Sequence, residues 1–403
     1  MTAPDLLLSP KWDRADTWLP ALAAFVAHAP RSGPRLLIDA REAALPVDLL
    51  GELCGHACDW AAQGEDFAEV ELVWQPGDAV PERAVPVSSA ADVAALLHAA
   101  APTVPRDPVE RIAWARDVKH LIDALDRRVA AHRYLAAPDP WDDPEPLVSV
   151  RIPTWGGTDL LLKRAIPSAL SGSYPNIEVV VVSDGPDPSA RAAVASVSDP
   201  RVRYVEVPQR PRYATSPQSF WQTAGTSAVN LALDHCRGAF IAPLDHDDAF
   251  TDTHVSDLLS ALREAGADFV YGQAACELRH GGWTIIGATP LACGRITHGS
   301  VLYSRRLAHM RYDPLAWLLD EPGDWNMWRR MAEMGAAICH LPKVVQIHFR
   351  EKTAIEDDPR ASSDILNGPV PASAEDLAAD LDHVGAAWLA EVPRRDRLPA
   401  AVA

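Results

Sequence analysis

The apolar run AFIAPL ends in Asp245-His246-Asp247-Asp248, so three carboxylates leave what must be a buried element side by side. Carboxylates held that close repel one another, and a cation or a solvent-rich mouth has to offset the repulsion. A solvated turn satisfies the second condition. A divalent ion satisfies the first: hard oxygen ligands suit Mg²⁺ or Mn²⁺, ions that keep water and bind substrate phosphates in their remaining positions. Cys54 and Cys58, with His56 between them, are the other close set of metal-type side chains. They stand on a helix-like stretch without a second pair, and they are expected to be buried small apolar residues.

The elements that position these acids follow from the apolar pattern. LVSVRIP and IEVVVVSDG are continuous β-branched runs, as in strands covered by helices on both faces of a parallel sheet. A short strand over 203–206, a helix over about 223–236 and the AFIAPLD strand extend the βαβ rhythm to a doubly wound sheet. Ligands of such sheets bind at the carboxyl ends of the strands. Before this region, DLLLS, RLLID and VELVW alternate with helical patterns over 18–29 and 47–61, the rhythm of a smaller α/β unit. An amphipathic connector over 109–135 carries Val118, Leu121, Ile122, Leu125 and Val129 at helical spacing. It runs into AAPDPWDDPEP, whose four prolines and four acids mark a loop. The expected domains are 1–105, a small Rossmann-like α/β domain; 106–146, a helical connector and linker; 147–350, the domain with the acids; and 351–403, a helical tail with a loose end.

Composition narrows the partners. The 37 Lys+Arg against 55 Asp+Glu give a net charge of −18, which repels the phosphate backbone of nucleic acid and anionic membrane surfaces. No window supplies the roughly 18 apolar residues of a membrane span, and the first residues lack the pattern of a secretory signal. The expected compartment is the cytoplasm.

VSVRIPTW, YPNIEVVVVSDG and RGAFIAPLDHDD together resemble, in order, the signature stretches of inverting glycosyltransferase family 2, which has the GT-A fold. HGSVLYSRR with GDWNMWRRMAEMG resembles that family's acceptor loop and catalytic-base region, and VVQIHFRE its closing strand. About two hundred residues, 147–350, share the likeness. The order of runs in the first hundred residues faintly resembles half of a GT-B glycosyltransferase domain, although no Gly-rich phosphate loop follows the first strand.

What the resemblance implies is an α/β GT-A domain, Rossmann-like, that binds a nucleotide-diphosphate sugar. On it, Pro153, Thr154 and Trp155 contact the nucleobase and Asp184 hydrogen-bonds it. An imide N–H needs an acceptor and a base needs a stacking face, which fits uracil or thymine. Asp245 falls near ribose and metal, Asp247 on the direct metal ligand, and Asp248 is a further candidate ligand. Asn230 takes the Asn of an A-R-N motif whose Arg is replaced by Val229, leaving Arg210 or Arg212 to meet the donor. Asp324 falls on the general base, at the start of an amphipathic helix over 325–334 whose N-terminus keeps a carboxylate ionised. Gly323 replaces the Glu common before it, so Asp320 and Glu321 are rivals. His348 is an expected third metal ligand and Arg350 a diphosphate clamp. His298 and Gly299 are expected near the acceptor, ahead of an apolar helix.

The expected function is inverting transfer from a UDP- or dTDP-sugar to a glycan, lipid-linked glycan, metabolite or protein, with Mn²⁺ or Mg²⁺. A second copy of the chain is an admissible partner. The alternative is a catalytically weakened GT-A module that binds a nucleotide sugar or a partner protein. A sugar nucleotidyltransferase would need a Gly-rich loop and a Lys after the first strand, and TWGGTD has neither.

Overall fold

The structure is a computed structural model of the 403-residue chain that describes residues 5–29, 31, 33–75, 78, 80–81, 84–97, 105–278, 281–350 and 369–390. It divides into two compact units, Met1–Val129 with Gly385–Ala403, and Ala130–Val384. The division falls inside the connector helix, Pro108–Ala136, rather than at the Pro-rich loop that follows it. The expected tail also divides, because the helix Ala374–Val384 packs as part of the second unit. The basic end, PRRDRLPAAVA, lies outside the described residues.

The first unit is a parallel sheet of β1 (Leu6–Leu8), β2 (Leu36–Asp39), β3 (Val70–Val73) and β4 (Val85–Val87), in the order β3-β2-β1-β4. Helices Leu19–His28 and Val47–Ala62 fall where the apolar spacing predicts them. Strand β4 and the helix Ala90–Leu96 escape the pattern because VPV is too short to show a period. Cys54 and Cys58 are buried, and burial pushes both thiols up to about 12, as expected of structural rather than ligating cysteines.

The second unit holds a mixed nine-stranded sheet. Its parallel half is β5 (Val148–Thr154), β6 (Ile177–Ser183), β7 (Val202–Glu206) and β8 (Phe240–Pro243), in the order β7-β6-β5-β8. Every residue of β6 is buried. Because side chains alternate along a strand, Val179 and Val181 join a core on one face while Val180 and Val182 join a core on the other. Beyond β8 the sheet becomes mixed, through β9 (Ala249–Phe250), β10 (Phe269–Glu277), β11 (Trp283–Ile286), β12 (Val301–Ser304) and β13 (Ile338–His348). Here one expectation is corrected: His298 and Gly299 open a 3₁₀ turn that leads into strand β12, not an apolar helix. VLYS is fully buried between β8 and β10, and its β-branched and aromatic residues suit that place.

Candidate active site

Strands β5, β6 and β8 run parallel, so their carboxyl ends open on one edge of the sheet and release Pro153-Thr154, Asp184 and Asp245 there. A cavity of about 630 Å³ opens at this edge, with Pro153, Asp245, Asp247, Asp324, His348 and Arg350 in its walls. Thr154, Trp155, Asp184 and Asn230 do not line it. Thr154 is buried. Asp184 is also buried, and it accepts hydrogen bonds from the Tyr213 hydroxyl at 2.6 Å and from Arg210 Nε at 3.3 Å. Burial raises its pKa, and those two partners oppose the rise. Trp155 is 44% exposed, with the Arg210 guanidinium 4.3 Å over its ring. Asn230 spends its amide on the backbone of Tyr312, donating to the carbonyl at 2.8 Å and accepting from the N–H at 2.9 Å. It therefore anchors Tyr312 with one N–H and one oxygen lone pair of its amide.

The three clustered acids have different surroundings. Asp248 is fully buried and accepts from Gln346 Nε2 at 2.7 Å, His348 Nδ1 at 2.9 Å and the Phe349 N–H at 3.0 Å. Its oxygens are so spent on protein donors, and the bond to Nδ1 fixes the orientation of the His348 imidazole. Asp245 takes His298 Nδ1 at 2.9 Å on both of its oxygens. Burial opposes its ionisation, yet His298, with His348 and His246 adding to it, holds the carboxyl well below the usual range. Among the described residues no other side chain hydrogen-bonds the Asp247 carboxylate, whose backbone carbonyl accepts from Arg164. Burial, then the charges of Asp248 and Asp245, push its carboxyl up to about 6. His348 is moved the opposite way to what burial favours: the Asp248 hydrogen bond and the surrounding acids hold it at about 9.

Between these acids, His246 rests on the loop after β5. A Cβ on Gly157 would stand 2.0 Å from the imidazole, so only glycine allows that approach.

Asp324 lies on the cavity wall in the first turn of the helix Gly323–Glu333, its Oδ1 accepting from the Trp325 N–H at 2.7 Å. Burial raises its carboxyl. The rivals are committed elsewhere. Asp320 accepts from Gln218 at 2.6 Å and Gln222 at 3.0 Å, and Glu321 is gripped by Arg329 at 2.6 and 2.8 Å and by Asn326 at 2.7 Å. The absent Glu at 323 also has a physical reason: a Cβ there would lie 3.1 Å from the carbonyl of Gln222. The lining also includes the aromatic side chains Phe220 and Trp221, from the helix Pro217–Thr223, and Trp325.

Arg151 and Tyr312 carried no role in the sequence reading, and His298 carried only proximity. Arg151 Nη2 donates to the Tyr312 hydroxyl at 2.6 Å and lies 3.1 Å from His298 Nε2. The one available signal was an arginine inside the otherwise apolar VSVRIP run. A second hollow, of about 550 Å³, lies along β7, but its charged residues Arg191 and Glu206 already pair with each other, and Arg203 pairs with Glu178.

Among the described residues, no three His, Cys, Asp or Glu side chains are gathered so as to hold an ion unaided. Asp247, whose carboxylate has no side-chain hydrogen bond among the described residues, lines the cavity with His348 and fits a divalent cation that takes the rest of its shell from a phosphate-bearing ligand.

Residues 149–285 match the model of glycosyl transferase family 2. An uncharacterized glycosyltransferase of Rickettsia bellii is 31% identical over 121 residues, 30% of this chain and 15% of the relative. The UDP-Glc:alpha-D-GlcNAc-diphosphoundecaprenol beta-1,3-glucosyltransferase of Escherichia coli is 26% identical over 126 residues, 31% of this chain and 45% of that one. Across the rickettsial relatives the match spans between 15% and 33% of their length. The S. aureus TarS structure with UDP-GlcNAc aligns at a TM-score of 0.42 and 14% identity, over 63% of this chain and 68% of that one. No helix among the described residues is long and apolar enough to cross a membrane.

Proposed function

We propose that the chain is an inverting glycosyltransferase that moves a sugar from a UDP- or dTDP-linked donor to a hydroxyl acceptor, with Mn²⁺ or Mg²⁺ at Asp247. The observation that carries this reading is the meeting of Asp245, Asp247, His348 and Asp324 in one cavity at the strand ends of a family 2 domain. Asp324 takes the proton of the acceptor hydroxyl as that oxygen attacks C1. The C1–O bond to the diphosphate breaks, and its electron pair leaves with the nucleotide. A carboxyl raised by burial is a stronger base than an exposed one, which suits the role. Bound beside Asp247, a divalent ion would offset the charge growing on the diphosphate. His348, oriented by Asp248, would share that ion, and Arg350 would clamp the phosphates.

The nucleobase end is assigned to Trp155 and Asp184, with Arg210 and Tyr213 yielding one of their bonds to an incoming imide N–H. The acceptor is assigned to the aromatic wall, where Trp221 and Trp325 offer flat apolar faces to a sugar ring. The test is release of nucleoside diphosphate from UDP- and dTDP-sugars with Mn²⁺. Wild type should hydrolyse at least one donor slowly. Asp247→Ala should bind it poorly, and Asp324→Asn should bind it but release little product. Donor binding without any release by wild type, with or without acceptors, would instead support a binding module.

A further inference from the structure

Arg151 sits between Val150 and Ile152 on a central strand, with its side chain fully buried. Among the described residues it forms no ion pair of its own within 4 Å of a carboxylate, an expensive state for a buried cation. A guanidinium has only donors, so His298 Nε2, 3.1 Å from Nη2, must accept. A ring that accepts at Nε2 carries its proton on Nδ1, which is 2.9 Å from both oxygens of Asp245. The Tyr312 hydroxyl takes the other bond from Nη2, the Tyr312 ring lies 5.0 Å from the guanidinium, and Asn230 holds the Tyr312 backbone on both sides. An unbroken line of contacts therefore runs from the core of the sheet to the cavity wall.

We propose that Arg151 and His298 are positioning residues of this site: they hold Asp245 fixed on both oxygens and so leave Asp247 as the carboxylate open to the donor's cation. The proposal rests on the reading of Asp247 given above. Its consequence is opposite to that of a structural defect. Freeing Asp245 gives the cation a second carboxylate ligand, so the resting protein should bind Mn²⁺ more tightly while turnover falls.

The experiment titrates Mn²⁺ into the metal-free full chain, following the free ion by electron paramagnetic resonance, with donor hydrolysis measured in parallel. Asp247→Ala should weaken Mn²⁺ binding more than tenfold, which tests the reading alone. His298→Phe and Arg151→Met should bind Mn²⁺ roughly tenfold more tightly, because more ligand charge reaches the ion, and should hydrolyse donor about 10–100-fold more slowly. His298→Asn, whose amide nitrogen takes the place of Nδ1, should return both quantities toward wild type. Should His298→Phe fail to fold, His298→Gln replaces it, since its amide reaches toward Arg151 and leaves Asp245 unheld. Folded His298 and Arg151 variants with unchanged or weaker Mn²⁺ binding overturn the proposal while Asp247→Ala still supports the reading. A wild type that binds no Mn²⁺ overturns both.

Discussion

Asp247→Asn should stabilise the metal-free protein while removing its activity. The Asp247 carboxyl rises from 3.8 to about 6, through burial first and then the charges of Asp248 and Asp245. At about 1.36 kcal/mol per pH unit that difference corresponds to roughly 3 kcal/mol against folding once the group is ionised. Partial contact with water in the cavity reduces it to about 1–2 kcal/mol. For a unit of this size the gain is roughly 2–8 °C in Tm. The sign with pH is fixed by the direction of the shift. An acid whose folded pKa lies above its unfolded value costs nothing while protonated in both states, and its cost appears as pH rises from about 4 through about 6. The advantage of Asn should therefore be present at pH 7.5 and absent at pH 4. The assay is thermal melting of wild type and variant in EDTA at both values, with Mn²⁺ added in a second arm that should stabilise wild type and not the variant. A variant that melts at or below wild type at pH 7.5, or a gap unchanged at pH 4, would refute the electrostatic reasoning.

Asp324→Asn should lower turnover by about 10²–10⁴ with donor affinity retained, as read from single-turnover hydrolysis and donor titration. His254 is buried on Phe250, donates from Nδ1 to the Val345 carbonyl at 2.9 Å, and is pulled by burial to about 3. A histidine depressed in this way contributes its full stability above pH 6.5 and loses it as pH falls toward 3, on the order of 5 kcal/mol in all. Urea melts at pH 7 and pH 4 should show that loss, and His254→Phe should blunt it. Asp380→Ala should cost about 2–4 kcal/mol in the same melts, because the buried carboxylate accepts from the backbone and hydroxyls of Thr215 and Ser216, which would lose their partner. Asp380→Asn should recover part of the loss.

The parallel half of the sheet was legible because β5 and β6 bury both faces, and a strand of that kind must be a continuous β-branched run. The apolar run ahead of Asp245 placed that acid and Asp247 at a strand end, and the family resemblance singled out Asp324 at the start of an amphipathic helix. The pairings were not legible. His298 meets Asp245 across 53 positions and Asp380 meets Ser216 across 164, and neither separation leaves a periodic trace. VLYS read as helix because four buried residues look alike in either state, and only its place between β8 and β10 decides. Asn230 carries the right residue type for a donor contact, and in the structure its amide also donates to and accepts from the Tyr312 backbone. Composition at a position cannot report such a commitment.

The most direct measurement is anomalous diffraction from crystals soaked with Mn²⁺ and UDP. A manganese peak beside Asp247 and His348, with the diphosphate against it and Asp324 across the same cavity, is the predicted result. Nucleotide bound with the ion elsewhere, or an ion on Asp245 with Asp247 turned away, would contradict the account.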